Sequence, residues 1–353
     1  MMDTTLQEFA DRIGHATAAG TPLRIRGGGS KDWYGQDVHG TVLDTAAWRG
    51  ITDYEPTELV ISARCGTPLA EIEAHLAEHG QMLAFEPPHF GPGATIGGTV
   101  AAGLSGPRRQ AAGAVRDFVL GAVLMDGKGE VLHFGGKVMK NVAGYDVSRL
   151  LAGSLGVFGL IAEVSLKVLP QPVAECTVQL QTNEDDALRR LNEWGGQPLP
   201  VSASSWHDGV LTVRLSGARS AVDAARRRIG GDLLDGAGAW WRSLREHEAA
   251  FFTTEGSLWR LSLPTVAPPL ALPGTQLIEW GGAQRWLRSD ADAAAIRAAV
   301  STAGGHATLF RGGDRDAGVF QPLAPAVHAI HRQLKNVFDP AGVFNRGRMY
   351  KDF

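Results

Sequence analysis

The sequence predicts an α+β fold in which a mixed first half is followed by a region of different character. Short strand-like runs alternate with amphipathic helices as far as residue 170, and Pro170 and Pro172 then break the chain. Beyond the prolines, β and helical patterns alternate again in a region that holds seven of the nine tryptophans. At 353 residues the chain is too long for one simple core, which implies two domains or one large domain with an insertion. Its 44% hydrophobic residues are enough to fill such cores.

The elements follow from local pattern. Leu6, Phe9, Ala10 and Ile13 lie at helical spacing within Thr5 to Ala19, and Gly20 and Pro22 end that helix. Strands are expected at Leu23 to Ile25, Thr41 to Asp44 and Thr57 to Ala63, with a helix from Leu69 to His79 opened by Pro68 and closed by Gly80. Val119 to Leu124 and Val131 to Phe134 read as a hairpin about Asp126-Gly127-Lys128-Gly129. A helix from about Tyr145 to Ala152 precedes a strand from Gly159 to Leu169, whose Val164, Leu166 and Val168 alternate with Glu163, Ser165 and Lys167, so that one face is buried. In the second region, Ser204 to Leu215 turns at Asp208-Gly209 and Ala218 to Ile229 is helical. Leu258 to Leu263, Thr275 to Trp280 and His306 to Arg311 are strands, and Asp290 to Ala303 and Pro325 to Phe338 are helices.

Composition narrows the function. A net charge of −3 and a single short basic run, Arg226 to Arg228 in a helical pattern, argue against nucleic acid as a partner. Met1 to Phe9 contains Asp3 and Glu8 and lacks the basic start of a secretion signal, and no apolar run reaches the ~18 residues of a membrane helix. The expected location is cytoplasmic, with any attachment to the inner membrane made through partners. Cys65 and Cys176 cannot build a disulfide framework or an iron–sulfur cluster alone. Redox chemistry would therefore rest on a bound organic cofactor.

Two segments point to a ligand. Arg26, Gly27, Gly28, Gly29, Ser30 and Lys31 follow a strand directly, and glycines without a Cβ expose their amides to an anion between two cations, a setting suited to a diphosphate. A plain glycine-rich loop is the alternative. Neither the Walker spacing nor the third glycine of the Rossmann fingerprint is present. The second segment, Pro87 to Gly103, is built almost entirely of small residues from Gly91 onward, and Thr95 is placed to cap a helix whose free amides face an anion. A buried helix needing small residues for packing is its alternative reading.

Together with the run Asn141 to Ile161, these segments resemble in order and spacing the FAD-binding domain of the PCMH-type, vanillyl-alcohol-oxidase-like flavoproteins. The tail Leu334 to Met349 is similar to the closing segment of the D-lactate dehydrogenase and glycolate oxidase branch, and the wording Lys140 to Asp146 most resembles the smaller FAD-binding subunit of bacterial glycolate oxidase. The resemblance implies an FAD-binding domain over 1–170, in subdomains 1–55 and 56–170, a short α/β cap over 171–312, and a segment 313–353 returning to the first domain. It implies that Gly27, Gly28, Gly29 and Ser30, with Thr95, Ile96, Gly97 and Gly98, hold the diphosphate. Arg26, Lys31 and Pro88 would lie beside it. Gly153, Ser154, Gly156, Gly159 and Ile161 would line the flavin, and Asn345 would close its side. Relatives that attach flavin covalently often have histidine where this chain has Ser30, so non-covalent FAD is expected. Many members of the family carry an acid after the serine matching Ser154, whereas this chain departs from that pattern with Leu155, so no polar side-chain contact is expected from that position.

Oxidation of a small 2-hydroxy acid by flavin needs a cation for the carboxylate and usually an acceptor for the hydroxyl proton. Arg285, His306 and Arg311, on or beside predicted cap strands, are the catalytic candidates, with surface or domain contacts as their alternative roles. The stretch Gly304 to Arg311 keeps one histidine of a metal-associated stretch in the larger subunits, so no metal site is expected. The resemblance thus implies a glycolate oxidase subunit partnered by a larger flavoprotein subunit and an iron–sulfur subunit. It leaves open whether this chain oxidises glycolate or only relays electrons. A free-standing FAD oxidoreductase of another hydroxy acid or alcohol, and a non-catalytic flavin-binding assembly subunit, are the alternatives.

Overall fold

The computed structural model describes residues 3–136 and 145–353. Most of the wording at Lys140 to Asp146, and the start of the run at Asn141, lie outside the described residues.

The chain opens with the helix Thr4–Ala19, capped by Asp3, whose carboxylate accepts from Thr5 N at 2.9 Å, and ended by Gly20 in the left-handed region. Its Phe9, Ile13 and Ala16 are buried against Leu23, Leu43 and Phe344. Leu23–Arg26 pairs in parallel with Thr41–Asp44, and Leu23 also bridges in parallel to Phe344 near the far end of the chain. Sequence-distant termini therefore share one core.

A five-stranded antiparallel sheet follows, ordered Ile51–Glu55, Val60–Arg64, Leu160–Lys167, Val119–Met125, Val131–Gly135. Because Ile51–Glu55 pairs with Val60–Arg64, this sheet begins before residue 56 and straddles the expected subdomain division. The central strand is buried on both faces rather than one. Leu160 and Ala162 enter the core beneath the first helix, Ile161, Val164 and Leu166 enter the opposite core, and Ser165 is buried with its hydroxyl 2.7 Å from that of Ser62. Alternation in sequence marks a strand, but a polar position between two packed neighbours can still be covered when its hydroxyl finds a partner. The helix expected over Tyr145 to Ala152 is the single turn Val147–Leu150, capped by Asp146.

The second region forms one eight-stranded antiparallel sheet. Its order is Asp232–Leu233, Ala174–Gln181, Val210–Gly217, Val201–His207, Thr275–Glu279, Gln284–Arg288, Leu258–Ser262, His306–Arg311. Two inner strands, Ala174–Gln181 and Gln284–Arg288, and the helices Glu184–Gly195 and Ala237–Arg245 go beyond the sequence reading. Gln284–Arg288 is too polar to read as an inner strand from pattern alone. It is buried because it is inserted between two apolar neighbours.

The two regions are bolted together by buried charge. Glu86 of the first accepts from Arg108 N (2.9 Å) and from Arg214 Nη2 (2.9 Å) of the second, and Arg108 reaches Glu175 at 2.8 Å. Burial alone would raise the Glu86 carboxyl, but Arg214 and Arg108 overcome it and hold the group below its ordinary value. The helix Pro325–Phe338 brings the tail against the first region. There Lys335 Nζ donates to Val157 O (2.7 Å), Phe344 O (2.9 Å) and Asp339 Oδ2 (2.7 Å), while Asp339 accepts from the amides of Val343 and Phe344.

Candidate functional site: a glycine-lined cleft

The strand Leu23–Arg26 runs straight into the turn Gly27 to Asp32, and the helix Ile96–Ala102 starts beside it. The two glycine segments touch. A Cβ added to Gly28 would lie 1.3 Å from Gly93 O, one on Gly27 would lie 2.5 Å from Thr95 Oγ1, and one on Gly97 would lie 2.4 Å from Cys65 Cβ. Only main chain fits at these crossings. Thr95 caps its helix, its hydroxyl accepting from Gly98 N at 3.3 Å.

Between them lies an open cleft. Arg26, Gly27, Gly28, Gly29, Ser30, Lys31, Thr95, Gly97 and Gly98 line it on one side, and Gly156, Gly159, Ile161 and Asn345 on the other. Asn345 is the clasp. Its Oδ1 accepts from Ile25 N (2.8 Å) and its Nδ2 donates to Leu155 O (2.6 Å), tying three distant segments together from a left-handed backbone (φ 39°) that asparagine tolerates.

Four expected cofactor residues stand outside the lining. Pro88 lines a neighbouring pocket, and Ile96 is fully buried in the core behind the helix. Gly153 packs against Gly103, where an added Cβ on Gly103 would come within 2.6 Å of the Gly153 Cα. The Ser154 hydroxyl is 3.4 Å from the Gly156 amide, which donates to it, so the residue shapes the loop from beneath. Conversely, Asp32, Thr45, Cys65, Ala101, Ala102, Leu155 and Arg348 line the cleft without having been singled out for it. Leu155 contributes main chain, its carbonyl being the acceptor for Asn345. Arg348 lies within the tail Leu334 to Met349, and that resemblance is its sequence signal.

The charges differ in availability. Arg26 Nε is held by Asp32 at 2.6 Å, and Arg24 shares the same carboxylate oxygen at 2.7 Å. Lys31 is buried, donates to His89 O at 3.1 Å, and pairs with no carboxylate among the described residues. Burial pulls its ammonium down to about 8, with Glu246 working in the opposite direction. Arg348 donates through Nη2 to the carbonyls of Lys31 and Tyr34 (3.2 Å each), and its buried Nε has no partner among the described residues. An uncompensated ammonium and an orphaned guanidinium N–H beside a cradle of bare amides fit a diphosphate.

The three catalytic candidates are not gathered at this cleft. Arg285 is fully buried, and its guanidinium is spent on the carbonyls of Pro268 (2.7 Å), Ala267 (2.5 Å) and Gly282 (3.4 Å). His306 is exposed at the start of its strand. Arg311 stacks 4.3 Å over Trp33 and 5.7 Å over Phe90, which places it on the aromatic wall behind the glycine turn. Among the described residues no group of three His, Cys, Asp or Glu side chains is placed to hold a metal ion.

Fold and cleft define an FAD-binding flavoprotein, and residues 4–135 match the family described as FAD binding domain. Alkyldihydroxyacetonephosphate synthase has the same fold, with a TM-score of 0.66 at 16% identity over 96% of this chain and 75% of that one. The chain belongs to the family of the glycolate oxidase subunit GlcE: it is 50% identical to the Escherichia coli (strain K12) protein over 346 residues, 98% of this chain and 97% of that one. It is also 28% identical to glycolate oxidase subunit GlcD of Bacillus subtilis (strain 168), over 52% of this chain and 45% of that one. No helix among the described residues is long and apolar enough to cross a membrane.

Proposed function

We propose that this chain binds FAD non-covalently in the glycine-lined cleft, as a subunit of a glycolate oxidase complex that converts glycolate to glyoxylate. The observation that carries the reading is the meeting of Gly27–Ser30 with Gly93–Gly98 around one cleft, in a chain half identical to GlcE along nearly its whole length. The cofactor, when bound, supplies a two-electron acceptor. The amides of both glycine segments would hold its diphosphate, Lys31 and Arg348 would neutralise it, and Gly156, Gly159, Ile161 and Asn345 would line its ring system. Ser30 offers no nucleophilic imidazole for a covalent link. The chain has two cysteines, one of them buried, so onward transfer of single electrons belongs to an iron–sulfur partner, with a larger flavoprotein subunit as the other neighbour. Any association with the inner membrane is made through those partners.

The test is to load the purified chain with FAD, alone and with its co-expressed partner subunits, and to add glycolate without oxygen. Bleaching of the flavin by glycolate and release of intact FAD into the supernatant after acid precipitation are expected. A chain that takes up no FAD overturns the reading.

Lys31 makes FAD binding depend on pH. Its ammonium titrates near 8 in the free chain, and a bound diphosphate favours the charged form and raises that value. Binding is therefore at full strength below pH 8 and weakens as pH rises through it. The dissociation constant measured by flavin fluorescence should rise roughly tenfold between about pH 7 and 9, and Lys31→Met should flatten the dependence.

A further inference from the structure

The helix that lines the cleft ends at Ala102, and after Gly103 the chain passes into a second cavity. Ala101 and Ala102 line the cleft, whereas Leu104, Ser105 and Gly106 line a pocket of ≈ 320 Å³ between the first domain and the cap. Its walls include Phe90, Trp286 and Phe310. It is the smaller of the two cavities.

Three polar side chains reach this pocket incompletely satisfied. Arg260, from the strand Leu258–Ser262, donates through Nη2 to the Tyr34 hydroxyl at 3.2 Å and has no carboxylate partner among the described residues. His247 is buried, its ring stacked 3.9 Å from Phe252, and its Nδ1 has no hydrogen-bond partner among the described residues. Glu279, at the end of the strand Thr275–Glu279, accepts through Oε2 from Trp286 Nε1 (2.6 Å) and Gln284 Nε2 (3.1 Å), while Oε1 accepts nothing among the described residues.

This contrasts with the buried charges next door. Glu86, Arg108 and Arg214 are fully paired, and Arg285 is saturated by carbonyls, as expected of groups whose task is to hold the fold. Arg260 also lies 5.7 Å over the Phe310 ring, so its guanidinium is partly engaged, whereas leaving the His247 nitrogen buried and unpaired beside a free carboxylate oxygen in an aromatic-walled cavity is costly unless a ligand completes them. We propose that the pocket is a subsite for a small 2-hydroxy acid, in which Arg260 pairs with the carboxylate, Glu279 Oε1 accepts the hydroxyl hydrogen, and the His247 ring faces the remaining edge. The proposal rests on the flavoprotein reading for its choice of ligand, since the segment 101–106 runs from the lining of the cleft to that of the pocket.

Further support is electrostatic. Burial pushes the Glu279 carboxyl up to about 7 despite the hydrogen bonds from Trp286 and Gln284, with Glu86 adding to the rise. The group can thus hold or release a proton near neutrality. Burial and then Arg311, Arg288 and Arg260 keep His247 neutral. Its imidazole therefore adds no competing positive charge to the pocket.

The experiment measures binding rather than turnover. The full chain, with and without FAD, is titrated calorimetrically with glycolate and with acetate, which has the carboxylate and lacks the hydroxyl. Glycolate should bind more tightly than acetate by roughly tenfold. Arg260→Met should weaken both by at least roughly thirtyfold while FAD content stays at the wild-type level. Glu279→Gln should erase the preference for glycolate, because its oxygen stays with Trp286 and Gln284 and its amide N–H₂ then replaces the open acceptor. An FAD-loaded Arg260→Met chain that binds glycolate as the wild type does overturns the proposal. If that variant does not fold, Glu279→Gln decides alone, and an unchanged preference for glycolate overturns it. A chain that takes up no FAD yet shows carboxylate binding sensitive to Arg260 refutes the flavoprotein reading and leaves the pocket's assignment standing.

Discussion

Gly28→Ala is expected to strip the protein of FAD. The added methyl would sit 1.3 Å from the Gly93 carbonyl oxygen, and both partners are main chain, so no side-chain rotation can relieve the overlap. The glycine turn and the Gly91–Gly98 segment must separate, and with them the two sets of amides that face the cleft. Overpacking in well-filled sites costs ~1–3 kcal/mol, and a clash between two backbones belongs at the upper end. Flavin bound per chain after desalting should fall to less than roughly a tenth of the wild-type value, with a lower unfolding midpoint. Gly14→Ala is the control. It lies in the helix Thr4–Ala19 with nothing near the added methyl, and replacing a mid-helix glycine should stabilise by ~0.5–1 kcal/mol without changing flavin content.

The second large effect is expected at the tail. Lys335 and Asp339 are buried together, and between them they hold Val157, Val343 and Phe344, the residues that bracket the Asn345 clasp. Lys335→Met leaves the Asp339 carboxylate buried without its cation, a change that costs about 3–5 kcal/mol. Urea unfolding should report that loss. Flavin should also bind more weakly, because the tail then closes the cleft less firmly. Lys351→Met, which removes an exposed ion pair with Asp316, should change neither measurement appreciably. If Lys335→Met unfolds as the wild type does, the tail does not depend on this buried ion pair.

Much of the first domain was legible because its signals are local. The helix Thr4–Ala19, the strand entering the glycine turn, the hairpin about Asp126 to Gly129 and the Thr95 cap each depend on residues a few positions apart. The second region was less readable. Gln284–Arg288 looks like a polar connector, and only its place between Thr275–Glu279 and Leu258–Ser262 makes it an inner strand. Its candidate residues fared accordingly. Arg285 and Arg260 are both strand arginines in apolar surroundings, and no periodicity tells that one meets three carbonyls while the other opens into a pocket. A lone carboxylate closing the apolar run Leu277-Ile278-Glu279 was the one available hint, and it concerned the position rather than the partner.

The amino-acid order by itself determined where bare amides would be displayed, since a chain lacking Cβ atoms at Gly27 to Gly29 and Gly97 to Gly98 presents them whatever surrounds it. Which carriers of charge meet those amides, and which are consumed in holding the fold, was decided only when strands far apart in the chain came to share a wall. The reason is physical: backbone exposure is a property of a few consecutive residues, whereas the state of a buried ion depends on every group that has replaced its water.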